Sequence, residues 1–174
     1  MGCIIVSQIK LVILDVDGTL TDGKIYYDNN GNESKAFNVK DGLAISTFIK
    51  NNINVAIITG RDSMIVARRA SELGIRDLYQ GVDNKLEIVK LIIDKHKLLL
   101  DEVIYIGDDL NDLEVMRYLP CTGCPADASN EIRRICSIVA TRSGGDGAVR
   151  EILEEILKIN NLSLIQIYSN DINQ

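Results

Sequence analysis

Residues 10–21 have the sequence KLVILDVDGTLT, in which four aliphatic residues, Leu11 to Leu14, lead into two aspartates, Asp15 and Asp17. A continuous aliphatic run that ends in Asp and Gly predicts a strand buried on both faces of a sheet. In an open parallel sheet, ligands bind outside the carboxyl ends of the strands. The two carboxylates therefore mark a candidate site. An Asp-Gly turn after a strand is common, however, so the rest of the chain must supply partners.

The rest of the chain alternates between predicted strands and predicted helices. Residues 23–37 contain two extended segments around Asn30-Gly31, which is typical of a β-hairpin. The pattern predicts an α/β domain with a mainly parallel sheet over residues 1–159, a flexible loop at the glycines of 144–147, and a mobile or exchanged tail at 160–174. Further strands are predicted at 53–58, 77–81, 103–106 and 137–140, and helices that end near residues 49, 73, 96, 118, 136 and 159.

Polar side chains follow three of these predicted strands at the point where each strand ends. Right-handed crossovers bring the carboxyl ends of parallel strands to one edge of the sheet. Carboxylates gathered there repel one another, so such a cluster normally holds a cation. Oxygen ligands without a nearby histidine favour Mg²⁺ over Zn²⁺. The residues concerned are Asp15, Asp17, Thr59, Asp108, Asp109 and Asp112, with Lys85 at the start of a helix between them.

A Mg²⁺ ion beside a carboxylate on a rigid strand end suggests phosphoryl transfer with an aspartate as nucleophile. The Thr59 hydroxyl and the Lys85 ammonium would bind phosphate oxygens and offset the charge that develops on them. The second carboxylate could protonate the leaving alkoxide and later activate water. Lys85 alone would be an ordinary solvated helix residue, and its place in the chain between Thr59 and Asp108 favours a catalytic role.

Composition and charge argue against several other classes of protein. The net charge of −6 argues against nucleic acid as a partner, because binding to a phosphate backbone depends on clustered Lys and Arg. No apolar run approaches the roughly 18–20 residues of a membrane span. The first ten residues, MGCIIVSQIK, do not resemble a signal peptide, so we expect a cytoplasmic protein without a membrane partner.

Four cysteines occur, at positions 3, 121, 124 and 136. The Cys121-Thr-Gly-Cys124 spacing fits either a redox pair or half of a zinc site. There is no second pair with this spacing, and the single histidine, His96, is distant in sequence. We therefore expect reduced, structural cysteines.

The full set of motifs resembles that of the haloacid dehalogenase-like phosphatases. The resemblance rests on Asp15-Val16-Asp17-Gly18-Thr19, Thr59, Lys85 and Gly107-Asp108-Asp109-x-x-Asp112, in this order. It implies a Rossmann-like three-layer α/β fold, with Asp15 as nucleophile and Asp17 as general acid and base. It also implies Mg²⁺ bound by Asp15, Asp108 and the backbone carbonyl of Asp17, while Asp109 and Asp112 support the metal shell or position Lys85. An aspartate at position 17 favours a phosphatase over a dehalogenase, because a halide needs no proton donor.

The intervals between the motifs leave no room for a cap domain, and the hairpin at 23–37 stands in its place. Over roughly residues 9–155 the chain is similar to capless phosphatases that act on 3-deoxy-D-manno-octulosonate 8-phosphate, through stretches such as NGNESKAFNVKDG, AIITGR, LYQG, YIGDDLND and GAVREI. This likeness implies a homotetramer with the hairpin at a subunit interface and a phosphorylated sugar acid as substrate. The implied substrate contacts, besides Asp17, Thr59 and Lys85, are Asn38, Val39, Lys40, Asp41, Gly42, Gly60, Arg61 and Arg69, and the arginines suit a carboxylate.

Several alternatives stay open at this stage. Relatives that act on 9-phosphates of nine-carbon, sialic-type acids often have Glu after the Thr-Gly pair, whereas this chain has Arg61, which favours the eight-carbon substrate. Ser46 stands where the eight-carbon enzymes often have Arg. A catalytically idle, tetrameric scaffold is a different possibility, against which the intact set of five acids argues. A phosphomutase or phosphotransferase would pass the phosphate to an acceptor other than water.

Overall fold

The computed structural model describes residues 8–159 and 162–172. Six of its strands form one parallel sheet, and two short strands form a separate antiparallel hairpin. In chain order the strands are β1 (Leu11–Leu14), β2 (Tyr26–Tyr27), β3 (Glu33–Ser34), β4 (Asn54–Ile58), β5 (Asp77–Tyr79), β6 (Val103–Ile106), β7 (Cys121–Cys124) and β8 (Ile138–Val139). The spatial order of the sheet is β5-β4-β1-β6-β7-β8. The predicted α/β class with a mainly parallel sheet is confirmed.

Helices cover both faces of this sheet. They are α1 (Val39–Lys50), α2 (Met64–Leu73), α3 (Lys85–His96), α4 (Leu113–Tyr118), α5 (Asn130–Ile135), α6 (Ala148–Ile159) and α7 (Leu164–Ile172). Successive β1 side chains point to opposite faces. Val12 and Leu14 therefore join one core with residues of α1 and α6, while Leu11 and Ile13 join the other with residues of α3 and α5. This division explains why all four residues of the opening strand are apolar and buried.

Strand β7 is one of two elements that the pattern does not predict. It contains the Cys121-Thr-Gly-Cys124 segment, and all four of its residues are buried. Cysteines three residues apart in a strand point to opposite faces, and Cys121 and Cys124 accordingly belong to different cores. They cannot form a redox pair or share a metal ion in this fold. None of the three described cysteines, at positions 121, 124 and 136, is in a disulfide, and Cys3 lies outside the described residues.

The tail also differs from the expectation. Residues 164–172 form α7, which packs against α1. Leu164 and Ile167 are buried in the core, and Nδ2 of Asn51 donates a hydrogen bond to the carbonyl of Ile167 at 3.1 Å. Leu164 and Ile167 thus form the docked face of α7, while Ile165 is 72% exposed. Residues 160, 161, 173 and 174 are outside the described ranges.

The hairpin forms as predicted. Tyr26 pairs with Ser34 and Tyr27 with Glu33, and both tyrosines are exposed in this single chain. Asp28 shapes the turn, since its Oδ1 accepts hydrogen bonds from the backbone N–H groups of Asn30 and Asn32, each at 2.8 Å. Among the helices of the described chain, none has the length and apolar character needed to cross a bilayer.

Candidate active site

The register of the three central strands brings the predicted catalytic residues to one edge of the sheet. Leu14, the last residue of β1, is paired with Ile57 of β4 and Ile106 of β6. Asp15 follows directly, and its backbone N–H donates to the carbonyl of Ile106 at 2.9 Å. Thr59 and Asp108 come just after the ends of β4 and β6. The convergence expected from the sequence pattern is therefore present.

Three carboxylates and one ammonium group form the centre of this edge. Oxygen atoms of Asp15, Asp108 and Asp112 lie within 4.8 Å of one another. Nζ of Lys85 is 2.9 Å from Oδ1 of Asp15 and 2.7 Å from Oδ1 of Asp112. Lys85 is the first residue of α3, where the helix dipole disfavours a cation. Its two buried carboxylate partners overcome this cost and hold the ammonium against Asp15.

Asp112 organises the loop after β6 through both of its oxygens. Besides Lys85, its Oδ1 accepts a hydrogen bond from the Tyr105 hydroxyl at 2.6 Å. Its Oδ2 accepts from the backbone N–H groups of Asp108 at 2.9 Å and Asp109 at 3.3 Å. Of the two supporting acids, Asp112 is thus the one that positions Lys85, while the exposed Asp109 caps its own turn by accepting from the N–H of Leu110. Tyr105 was not predicted, because a tyrosine inside an apolar strand resembles a core residue.

The electrostatics of the cluster favour the entry of a cation. Burial, with the nearby charge of Asp112 added, raises the pKa of Asp15 to about 7 against the opposing effect of Lys85. Burial and the charge of Asp112 likewise raise the pKa of Asp108 to about 7. For Lys85, burial lowers the pKa, but the charges of Asp15 and Asp112 outweigh burial and raise it. The one positive charge of Lys85 therefore does not balance the negative charges of the three carboxylates.

Two glycines let the loops of this edge approach closely. Gly18 has a φ of +94°, and a Cβ there would collide with the carboxylate of Asp108. A Cβ at Gly144 would collide with the carbonyl of Gly18. The loop at 144–147, predicted to be flexible, is therefore packed on the loop after β1, and Gly145 N–H donates to the carbonyl of Thr19 at 3.2 Å. The Thr19 hydroxyl in turn donates to Oδ1 of Asp108 at 3.0 Å.

Asp17 faces the hairpin, and this contact was not predicted. Nζ of Lys35, a residue that follows β3, forms an ion pair with Oδ1 of Asp17. Nε of Arg61 is 4.0 Å from the other oxygen, Oδ2. Nη2 of Arg61 donates to the Tyr27 hydroxyl at 2.8 Å and to Oε1 of Glu33 at 3.3 Å. Ion pairs thus link the hairpin to both Asp17 and Arg61.

Thr59 and Gly60 lie at the end of β4 next to Arg61. Thr59 is only 2% exposed, and its backbone N–H donates to the carbonyl of Tyr79 at 3.0 Å. Its hydroxyl accepts a long hydrogen bond, 3.5 Å, from the N–H of Arg61. Gly60 is exposed. The position of Thr59 beside the β1 end is compatible with a hydroxyl that binds a phosphate oxygen.

The predicted substrate contacts at 38–42 differ in their surroundings. Asn38 caps α1 by accepting from the N–H of Lys40 at 2.8 Å, and its Nδ2 donates to the carbonyl of Gly145 at 3.3 Å. Val39 and Lys40 are exposed. Asp41 is 1% exposed and accepts a hydrogen bond from the N–H of Arg150 at 2.7 Å, in the first turn of α6. Oδ1 of Asp41 thus binds the start of α6, whereas its Oδ2 is buried without a hydrogen-bond partner among the described residues.

Two of the remaining predicted contacts lie against each other. The guanidinium of Arg69 occupies the space in which Gly42 would carry a Cβ, so a side chain at position 42 would displace it. Arg69 also lies 5.9 Å above the ring of Phe37 and is 3.4 Å from Oε2 of Glu72. Its side chain is 22% exposed. The Arg69 side chain therefore extends from α2 to the start of α1.

Comparisons with known proteins agree with this geometry. Residues 66–153 match the family model described as haloacid dehalogenase-like hydrolase. The 3-deoxy-D-manno-octulosonate 8-phosphate phosphatase of Salmonella typhi is 46% identical over 151 residues, which cover 87% of this chain and 80% of that protein. The chain belongs to the haloacid dehalogenase-like hydrolases. The predicted family and the predicted hydrolase class are confirmed.

Two solved structures of this family are close in fold. The phosphatase of the same name from Yersinia pestis has a TM-score of 0.85 at 42% identity and covers 88% of this chain and 83% of its own. The Moraxella catarrhalis phosphatase has a TM-score of 0.85 at 44% identity, with 88% of each chain covered. It was crystallised with a magnesium ion, a phosphate ion and a KDO molecule.

The residues at the strand ends fit a Mg²⁺ ion, in agreement with the predicted cofactor. Asp15 and Asp108 offer carboxylate oxygens, the ligand type that Mg²⁺ prefers. Asp112 is already occupied by four donors, so it serves better as a support than as a ligand. The raised pKa values of Asp15 and Asp108 indicate an uncompensated charge that a cation would neutralise.

Removal of the metal should make stability depend on pH. Because the folded-state pKa values of Asp15 and Asp108 are about 7, against 3.8 normally, the folded protein binds more protons than the unfolded chain between these values. The free energy of unfolding contributed by these groups should therefore fall as pH rises from about 4 to about 7. Mg²⁺ favours the ionised carboxylates, so it should raise the melting temperature more at pH 8 than at pH 5.

Thermal unfolding followed by circular dichroism, with EDTA or with Mg²⁺, measures this difference. Asp108→Asn provides the comparison, since it removes one of the two titrating groups and should reduce the effect of Mg²⁺ at pH 8. An equal rise in melting temperature at both pH values would show that the ion does not bind these carboxylates.

The contact between Asp41 and the first turn of α6 can be tested separately. Asp41→Ala should lower the free energy of unfolding by about 1–2 kcal/mol, the usual cost of a lost helix cap. Asp41→Asn keeps an acceptor oxygen and should cost less. Urea unfolding of both variants measures the difference. An Asp41→Ala variant of unchanged stability but raised KM would instead support a substrate contact.

Proposed function

We propose that this enzyme is a Mg²⁺-dependent phosphatase that converts 3-deoxy-D-manno-octulosonate 8-phosphate to the free sugar acid and inorganic phosphate. The observation that carries the proposal is the placement of Asp15 at the end of β1, in contact with Lys85 and within the same carboxylate cluster as Asp108. This arrangement supplies a nucleophile, a fixed cation and metal ligands at one point. The similar phosphatases named above support the choice of substrate.

In the proposed reaction, a carboxylate oxygen of Asp15 attacks phosphorus, and the bond from phosphorus to the sugar oxygen breaks. The leaving oxygen takes a proton from the carboxyl group of Asp17. Water then attacks the aspartyl phosphate, gives its proton to Asp17 and releases phosphate, which restores Asp15. Lys85 and Thr59 bind the phosphoryl oxygens and offset their charge.

A bound Mg²⁺ ion supplies stabilisation of negative charge on the phosphoryl oxygens. We propose Asp15, Asp108 and the backbone carbonyl of Asp17 as its protein ligands. Asp112 and Asp109 support the loop that carries Asp108, and Thr19 fixes one oxygen of Asp108 by its hydrogen bond of 3.0 Å. The protein's part is to hold these oxygens in place before the substrate arrives.

Arg61 is the residue we propose to select a sugar acid over a neutral sugar. Its guanidinium can form two parallel hydrogen bonds to a carboxylate, and in the structure it already binds the carboxylate of Glu33. The other proposed contacts are Gly60, Arg69 and the residues at 38–42. Arg61 is half-exposed at the mouth of the site, so a substrate carboxylate can reach it.

A panel of phosphorylated sugars assayed with Mg²⁺ tests the function. We expect the highest kcat/KM for the eight-carbon acid 8-phosphate, about 10²-fold or more above hexose 6-phosphates. Arg61→Ala should reduce this preference, while Arg68→Ala, on an exposed side chain paired with Glu72, should preserve it. Equal rates on simple hexose phosphates would contradict the proposal. A preference for the 9-phosphates of nine-carbon acids would change the proposed substrate and leave the proposed enzyme class unchanged.

We further propose a homotetramer with the hairpin at 23–37 against a neighbouring subunit. Exposed Ile25, Tyr26 and Tyr27 on one short hairpin support it, because clustered exposed aromatic residues commonly mark an interface. Light scattering on the samples used for the substrate panel gives the mass in solution.

A further inference from the structure

We infer that Lys35 is a positioning residue of the reaction, which holds the carboxyl group of Asp17 in the orientation needed for proton transfer. This inference rests on the proposed phosphatase function, in which Asp17 is the acid and base. It concerns a residue of the hairpin, outside the motifs that contain Asp15, Thr59, Lys85 and Asp108. The hairpin thereby becomes part of the acid-base machinery within its own subunit.

The geometry at Asp17 supports this role. The Lys35 side chain has no exposed surface in the single chain, and its ammonium contacts Oδ1 of Asp17 directly. Oε1 of Glu33 lies 3.6 Å from the same ammonium. Burying a lysine side chain is costly unless its charge is paired. The carboxylates of Asp17 and Glu33 compensate this cost for Lys35.

Glu33 fixes Lys35 from the other side. Its Oε2 accepts a hydrogen bond from the Ser63 hydroxyl at 2.7 Å, and its Oε1 accepts from Arg61 at 3.3 Å. Ser63 is the N-cap residue of α2, and its backbone N–H is bound by the side chain of Gln80 at 3.1 Å. Lys35 is therefore linked, through Glu33 and Ser63, to the start of α2.

Lys35 is the better placed of the two cations at Asp17. Nε of Arg61 is 4.0 Å from Oδ2 of Asp17, which exceeds hydrogen-bond distance. Across the part of the chain that the structure describes, Lys35 is the cation that hydrogen-bonds this carboxylate. Because Lys35 binds Oδ1, the second oxygen, Oδ2, is the one that we propose to exchange the proton with the substrate.

A comparison of leaving groups tests this role. An alkyl phosphate needs proton donation from Asp17, whereas p-nitrophenyl phosphate releases a weakly basic phenolate that does not. In single-turnover assays, Lys35→Met should slow bond cleavage of the alkyl phosphate about 10²-fold, the cost of a misplaced catalytic group. Cleavage of p-nitrophenyl phosphate should slow less than about threefold, and KM from steady-state assays should change little for both substrates.

Matched variants separate positioning from folding. Lys24→Met, an exposed lysine of the same hairpin, should leave both rates unchanged. Lys35→Arg should restore part of the alkyl phosphate rate. If Lys35→Met fails to fold, Glu33→Gln, which removes the second partner of Lys35, should show the same selective loss in milder form. Thermal unfolding and light scattering check the fold and assembly of each variant.

Equal losses on the two leaving groups, or a change in KM alone, would overturn the role of Lys35. Turnover of simple alkyl phosphates and p-nitrophenyl phosphate without turnover of sugar-acid phosphates would overturn the proposed substrate, while the leaving-group comparison would still decide on Lys35. A wild-type protein inactive on every phosphate ester would overturn both.

Discussion

Asp15→Asn should reduce phosphate release by about 10⁴-fold or more, as expected when a catalytic nucleophile is removed. An amide offers no carboxylate oxygen to attack phosphorus, and its loss of charge removes the partner that Lys85 has at 2.9 Å. The side chain keeps its size, so the buried site at the end of β1 should stay folded. Phosphate release from the preferred sugar-acid phosphate with Mg²⁺ measures the effect.

Asp94→Asn is a matched control for this substitution. Asp94 is exposed on α3, the same helix that begins with Lys85, and lies far along it from the site. It should retain wild-type turnover. Acid quenching during turnover should trap phosphate on the wild-type protein and not on Asp15→Asn. Undiminished hydrolysis by Asp15→Asn would exclude Asp15 as the nucleophile and, with it, the proposed mechanism.

Much of this site was predictable because local patterns and a general topological rule combine. The aliphatic run before Asp15, the strand before Thr59 and the strand before Asp108 are each recognisable from a few residues. Parallel strands joined by right-handed crossovers must place these ends together. Lys85 was predicted for the same reason, since it lies between two of the strands. Its partner Asp112 was grouped with Asp109, and only the structure separates their roles.

Other contacts depend on how separate segments dock, which local patterns do not reveal. Lys35 lies 18 residues from Asp17 on a hairpin that was expected to face a neighbouring subunit. Gly144 looked like part of a flexible loop because nothing nearby in sequence shows that Gly18 packs against it. Strand β7 was missed because Gly123 weakens its strand pattern and the spacing of its two cysteines resembles a ligand motif. The helix α7 was missed because its apolar face is short and surrounded by polar residues.

Asp112→Ala should be the most destabilising single substitution in the loop after β6. It would leave the Tyr105 hydroxyl and two backbone N–H groups without their acceptor, while Lys85 would keep Asp15 as its remaining carboxylate partner. A buried donor that loses its acceptor costs about 1–3 kcal/mol, so the three together should cost about 3–5 kcal/mol. Urea unfolding should therefore show a loss of this size in the free energy of unfolding.

Asp109→Ala is the natural comparison, since the two acids lie three residues apart in the same motif. Asp109 is exposed, and its carboxylate accepts from the N–H of Leu110 at 2.8 Å, so its removal should cost only about 1 kcal/mol, as for a helix cap. A double substitution, Asp112→Ala with Tyr105→Phe, should recover part of the stability, because it removes one of the buried donors that Asp112→Ala leaves without an acceptor. Equal losses for the two single variants, or no recovery in the double variant, would mean that the hydrogen bonds to Asp112 do not hold this loop in place.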